Sequence, residues 1–83
     1  MDNPLWNDLE ALTSHGSEAV RTAAARCRNR RDAAKSAVKD WSDLAEQEAL
    51  THTAMKKHAD GQLDDKGLID AIGLLEVHYF KAL

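Results

Sequence analysis

The sequence is short of most residues that interrupt a helix or build a strand. It has one proline, one cysteine, four glycines and four aromatic residues in 83 positions. With its only proline at Pro4, the rest of the chain carries no residue that removes a helical hydrogen bond. β-Branched residues are sparse, and no segment alternates as a strand does. A lone cysteine, Cys27, excludes an intramolecular disulfide and fits a reducing compartment. No apolar run approaches the ~18 residues that span a bilayer, so no membrane partner is expected. The start, Met1-Asp2-Asn3-Pro4, is acidic and lacks the basic-then-apolar pattern of a signal peptide, so a cytoplasmic location is expected. There is no glycine-rich phosphate loop, nucleophile elbow or paired-cysteine motif. Asp60, Asp64, Asp65 and Asp70 miss the spacing of a twelve-residue calcium loop. The expectation is a protein without a catalytic site, metal site or cofactor, and not an enzyme.

What is present points to an all-α chain forming one domain. Hydrophobic residues make up 43% and charged residues 30%, a balance that argues against disorder. Fourteen alanines favour helix by propensity. Asn3 and Pro4 have the N-cap and N1 chemistry of a helix start. Leu5, Leu9 and Leu12 then form one apolar stripe, giving a short helix over about 4–15, ended by Gly16. Ser17 is placed to cap the next helix. From there to Ala59 neither proline nor glycine occurs, and Val20, Ala24, Cys27, Arg31, Ala34, Val38, Trp41, Ala45, Glu48, His52, Met55 and Ala59 keep a heptad spacing. The spacing predicts one long coiled-coil-like helix over about 17–59, some 64 Å at 1.5 Å per residue. Asn29–Asp32 is the place where a break would fit. Asp60-Gly61 stops this helix. Asp64 as N-cap, with Leu63 and Leu68 at hydrophobic-staple spacing, starts a C-terminal helix over about 64–82. The two should form an antiparallel hairpin with helix-bundle packing. The shorter C-terminal helix would leave the first half of the long one poorly covered, and its own apolar face is wider than one neighbour covers. Spare apolar surface of that kind marks an interaction site or a dimer.

Charge is segregated along the chain. Residues 1–20 hold four acids and no lysine or arginine, while residues 21–39 hold seven bases and the single acid Asp32. The remainder, 40–83, is again acidic, and the whole chain sums to −3. Arg21, Arg28 and Lys35 recur every seven residues along one edge of the seam, with Arg30 opposite and Arg31 within it. This stripe is expected to face an acidic helix, either of a partner protein or of a second copy. The alternative partner is nucleic acid, met through 21–39. No interleaved aromatic or helix-turn-helix pattern supports it, and the flanks are acidic. The apolar residues expected to meet a partner are Trp6, Trp41, Leu75, Tyr79 and Phe80, because aromatics anchor interfaces. Trp41 lies on the seam and also fits the core, whereas Trp6 lies off the leucine stripe and is expected to be exposed.

Glu48 and His52, four apart, have the spacing of a metal pair, but the seam position favours a polar layer that fixes register. Cys27 sits among arginines, yet at a seam position it behaves as a small buried hydrophobe. Leu68-Ile69-Asp70-Ala71-Ile72-Gly73-Leu74-Leu75 resembles the apolar helix of the small helical-hairpin co-chaperones of type III secretion systems, and the overall plan is similar to phage-encoded small inhibitors. These resemblances imply a binding role and assign no residue roles. The expected function is non-enzymatic protein–protein interaction or assembly, of adaptor, small-chaperone or inhibitor type.

Overall fold

The computed structural model describes residues 4–83; the Asn3 cap lies outside the described residues. The chain is all-helical, with α1 at Pro4–Leu12, α2 at Glu18–Ala37, α3 at Ser42–Ala59 and α4 at Asp65–Ala82. Ser17 caps α2 by accepting a hydrogen bond from the Val20 amide at 3.4 Å. Asp64 caps α4 through the Gly67 amide at 2.8 Å. α3 ends in a Schellman motif. Gly61 takes φ +80, its amide bonds the His58 carbonyl at 3.1 Å, and the Gln62 amide reaches back to the Lys57 carbonyl at 2.8 Å. A side chain at Gly61 would pay for that left-handed conformation, which is why glycine stands there.

The single long helix expected over 17–59 is two helices. The chain leaves helical geometry at Val38, with φ −92 and ψ 127, and not at Asn29–Asp32, which lie inside α2. The cause is local. Asp40 accepts hydrogen bonds from the Ser42 amide at 3.0 Å and the Ser42 hydroxyl at 2.7 Å, so it starts a new helix instead of continuing the old one. Those bonds hold the Asp40 carboxyl below its ordinary range, the side-chain bond contributing most. The break re-phases the seam. Val20, Ala24, Cys27, Arg31 and Ala34 are buried as the heptad predicts, but α3 buries Leu44, Glu48, Thr51 and Met55. Ala45 and Ala59 of the expected seam are exposed, and His52 is half-buried.

The break also changes the architecture. α2 packs on α4, α4 on α3, α3 on α1 and α1 on α2, a closed ring with α1–α4 and α2–α3 across the diagonals. α3 and α4 run antiparallel, since Glu48 meets Tyr79 and His58 meets Asp65. α1 runs against α2, since Trp6 meets Lys35 and Glu10 meets Arg28, and along α3, since Trp6 meets Glu48 and Asp8 meets His52. The result is a four-helix bundle 35 × 22 × 21 Å in extent. Its core holds Leu5 and Leu9 from α1, Val20, Ala24 and Cys27 from α2, and Leu68, Ile72, Leu75 and Tyr79 from α4. Each fully buried Leu or Ile contributes roughly 1.5–3 kcal/mol of transfer free energy. The first half of the expected long helix, predicted to lack cover, is roofed by α4 and α1 of the same chain. Among the described residues, no helix is long and apolar enough to cross a membrane.

Candidate functional site

Three surfaces carry the side chains singled out by sequence. The first is the end of the bundle where α1 begins and α4 finishes. Trp6, expected to be exposed, is half-buried there and donates its indole N–H to Glu48 at 2.8 Å. The Tyr79 hydroxyl donates a short bond to the same carboxylate oxygen. Trp41 meets Trp6 edge-on at 6.0 Å and Tyr79 at 6.2 Å between ring centroids. The Arg31 guanidinium lies 5.3 Å and the Lys35 ammonium 4.9 Å from the Trp6 ring centre, within cation–π range. This is the polar layer expected at Glu48, completed by partners far away in sequence. Burial, then the Glu48 bond and charge, push the Tyr79 phenol above its ordinary value. Tyr79 and Leu75 have no exposed surface, and Trp41 is half-buried. A partner approaching the folded bundle would meet neither Tyr79 nor Leu75.

The second surface is the basic stripe on α2. Arg28 pairs with Glu10 of α1 at 3.3 Å. Arg31 is buried and holds Asp32 at 2.9 Å. Arg21 donates to the His15 and Gly16 carbonyls at 2.8 and 3.1 Å. The acidic helices expected of a partner are thus supplied in part by α1 and α4 of this chain. One edge keeps an excess of positive charge. Arg26 and Arg30 share the single carboxylate of Glu76, at 3.5 and 4.0 Å, and both side chains reach solvent, 68% and 46% exposed.

The third surface is the outer side of α4. Leu74, Val77, Phe80 and Leu83 are between 44% and 57% exposed, while Leu68, Ile72, Leu75 and Tyr79 point inward. Arg30 sits over the Phe80 ring, 4.7 Å from its centre, so this apolar strip borders the unneutralised arginines. Of the residues expected to meet a partner, Phe80 and Arg30 fall together here. Leu74 and Val77 were missed. Their signal was the width of the apolar face of α4, which cannot all be buried on a helix with two packed sides.

Cys27 is fully buried, and its thiol is pushed up to about 12, by burial first and then by the Glu76 charge, against a lowering influence from Arg31. It packs as the small buried hydrophobe expected of its seam position. Glu48 is taken up by Trp6 and Tyr79, and His52 turns to Asp8, 2.8 Å away. An apolar cleft of about 200 Å³, lined by Leu12, Met55, His58 and Leu68 among others, has room for one side chain. That is below the roughly 300 Å³ at which small-molecule sites begin. No family model matches the chain, and no curated protein or solved structure matches it.

Proposed function

We propose that the protein is a non-enzymatic interaction module that takes an acidic amphipathic helix of a partner protein along the outer side of α4. The observation that carries this reading is the strip Leu74, Val77 and Phe80, three exposed apolar side chains at successive i+3 positions on one helix, whereas the exposed Leu50 of α3 stands alone on its helix. An exposed apolar strip beside unsatisfied charge is what a helix-in-groove contact uses. Charge complementarity selects the occupant. Arg26 and Arg30 share Glu76, and Arg30 lies over Phe80 of the strip, so a partner helix with acids flanking its apolar face is favoured. Adaptor, small-chaperone and inhibitor roles all fit such a contact.

The test is a fluorescence-anisotropy titration with a labelled synthetic peptide, an acidic amphipathic helix bearing Leu at i, i+3 and i+7. Binding should weaken at least tenfold with Leu74→Asp or Phe80→Asp, and with the paired change Arg26→Glu and Arg30→Glu. It should weaken further as salt rises. Absence of binding, or binding indifferent to these changes, refutes the reading. Nucleic-acid binding through 21–39 draws less support, because Arg28 and Arg31 are already held by Glu10 and Asp32. A labelled duplex titrated at two salt concentrations separates the two readings: phosphate contacts give a steep salt dependence that Leu74→Asp leaves unchanged.

A further inference from the structure

At the end of the bundle opposite Trp6, three groups suited to a metal ion converge. His15 comes from the link between α1 and α2, His58 from the last turn of α3, and Asp65 is the first residue of α4. Their ligand-capable atoms all lie within 4.8 Å of one another. His58 Nε2 is 2.7 Å from the Asp65 carboxylate, and the two imidazole rings lie 5.6 Å apart between centroids.

We propose that His15, His58 and Asp65 bind one divalent transition-metal ion of the zinc type, with water completing the coordination. Two imidazoles and one carboxylate suit such an ion. Metal–ligand distances of ~2.0–2.1 Å place two donors of a tetrahedral ion about 3.3 Å apart. The His58–Asp65 pair is closer than that, and the third donor needs to move inward by about 1.5 Å, a side-chain adjustment. Both histidines are half-buried and Asp65 is exposed, so the ion has a path from solvent. The three ligands belong to three segments that only the folded bundle brings together, so the ion would staple the α1–α2 link to the α3–α4 turn. Binding has a cost at His15. Its Nδ1 accepts a hydrogen bond from the Ser17 amide at 2.9 Å. Ligation through Nδ1 gives up that bond, and ligation through Nε2 requires the proton there to leave. The affinity is therefore moderate, and it weakens as pH is lowered because protons compete for the ligand atoms.

The experiment uses the full chain, stripped with chelator and titrated with Zn²⁺ by calorimetry. Native mass spectrometry counts the ions, and Co²⁺ serves as an optical probe. One ion per chain is expected, with a melting temperature that rises with metal concentration. His15→Ala and Asp65→Asn should each weaken binding at least tenfold, as should His58→Ala. His52→Ala and His78→Ala should leave it unchanged. His15 lies outside the helices, so its variant keeps the test valid if His58→Ala unfolds, and circular dichroism checks each fold. No uptake at millimolar Zn²⁺, or uptake that survives both His15→Ala and His58→Ala, overturns the proposal.

Discussion

Replacing Glu48 with leucine should be among the most damaging changes available to this protein. Glu48 is 8% exposed and accepts from two donors, the Trp6 indole at 2.8 Å and the Tyr79 hydroxyl. Leucine fills a similar volume but accepts nothing. The Tyr79 hydroxyl, fully buried, is then left without a partner, at a cost of about 1–3 kcal/mol. Trp6 is half-buried and can turn its N–H partly to water, which limits its loss to about 1 kcal/mol. A total of about 2–4 kcal/mol is expected, against a whole-domain stability of ~4–12 kcal/mol at 0.05–0.15 kcal/mol per residue. In a domain of this size each kcal/mol moves the melting temperature by about 4–8 °C. Urea unfolding followed by tryptophan fluorescence measures it. Glu48→Gln keeps an acceptor and should lose less than half as much. The decisive comparison adds Tyr79→Phe to Glu48→Leu. With the orphaned hydroxyl gone, the double variant should recover at least about 1 kcal/mol relative to additive losses. A Glu48→Leu loss under ~0.5 kcal/mol, or no coupling to Tyr79→Phe, refutes the polar layer as a source of stability.

Other consequences follow from the same packing. Leu9→Ala and Leu75→Ala, both at zero exposure, should each cost about 2–5 kcal/mol in urea unfolding, whereas Leu74→Ala should cost under ~1 kcal/mol. The alkaline limb of stability should be steep. Above pH 9.0, the ordinary value of Cys27, the unfolded chain ionises a thiol that the native state keeps protonated to about pH 12. Stability present below pH 9 is therefore lost as pH rises, by about 1.4 kcal/mol per pH unit for each such group, with Tyr79 adding from pH 10 upward. Cys27→Ala combined with Tyr79→Phe should flatten that limb in urea titrations between pH 8 and 11. Asp40→Ala removes the side chain that restarts the helix at Ser42. It should lower the melting temperature, read by circular dichroism, while Asp40→Asn, which keeps an acceptor for Ser42, should lower it less.

The helical class, the caps at Ser17 and Asp64 and the glycine stop at Gly61 were legible because each rests on a few neighbouring residues. The heptad from Val20 to Ala34 was legible for the same reason. The break at Val38–Trp41 was not. No proline or glycine marks it, and its cause, Asp40 bonding Ser42, competes with a helix that propensity alone would continue. That one turn decides the architecture, since it brings α4 over α2 and converts an uncovered hairpin into a closed ring. The acidic cover of the basic stripe was anticipated as chemistry but assigned to another molecule. Glu10 and Glu76 supply it from within the chain, and only the fold reveals the distance across which they do so. The cluster of His15, His58 and Asp65 left no spacing signal, because its members come from three segments.

If the bundle covers its own core and leaves the outer strip of α4 for a partner other than itself, the chain alone stays monomeric. Light scattering over a concentration series in reducing buffer, on the native chain and on Leu74→Asp with Phe80→Asp, reads this as molar mass. Both should give 9.2 kDa at every concentration, with unchanged helix content. A dimer that forms with concentration and dissolves in the α4 variant would contradict it, because a second copy of the chain would then be what the strip receives.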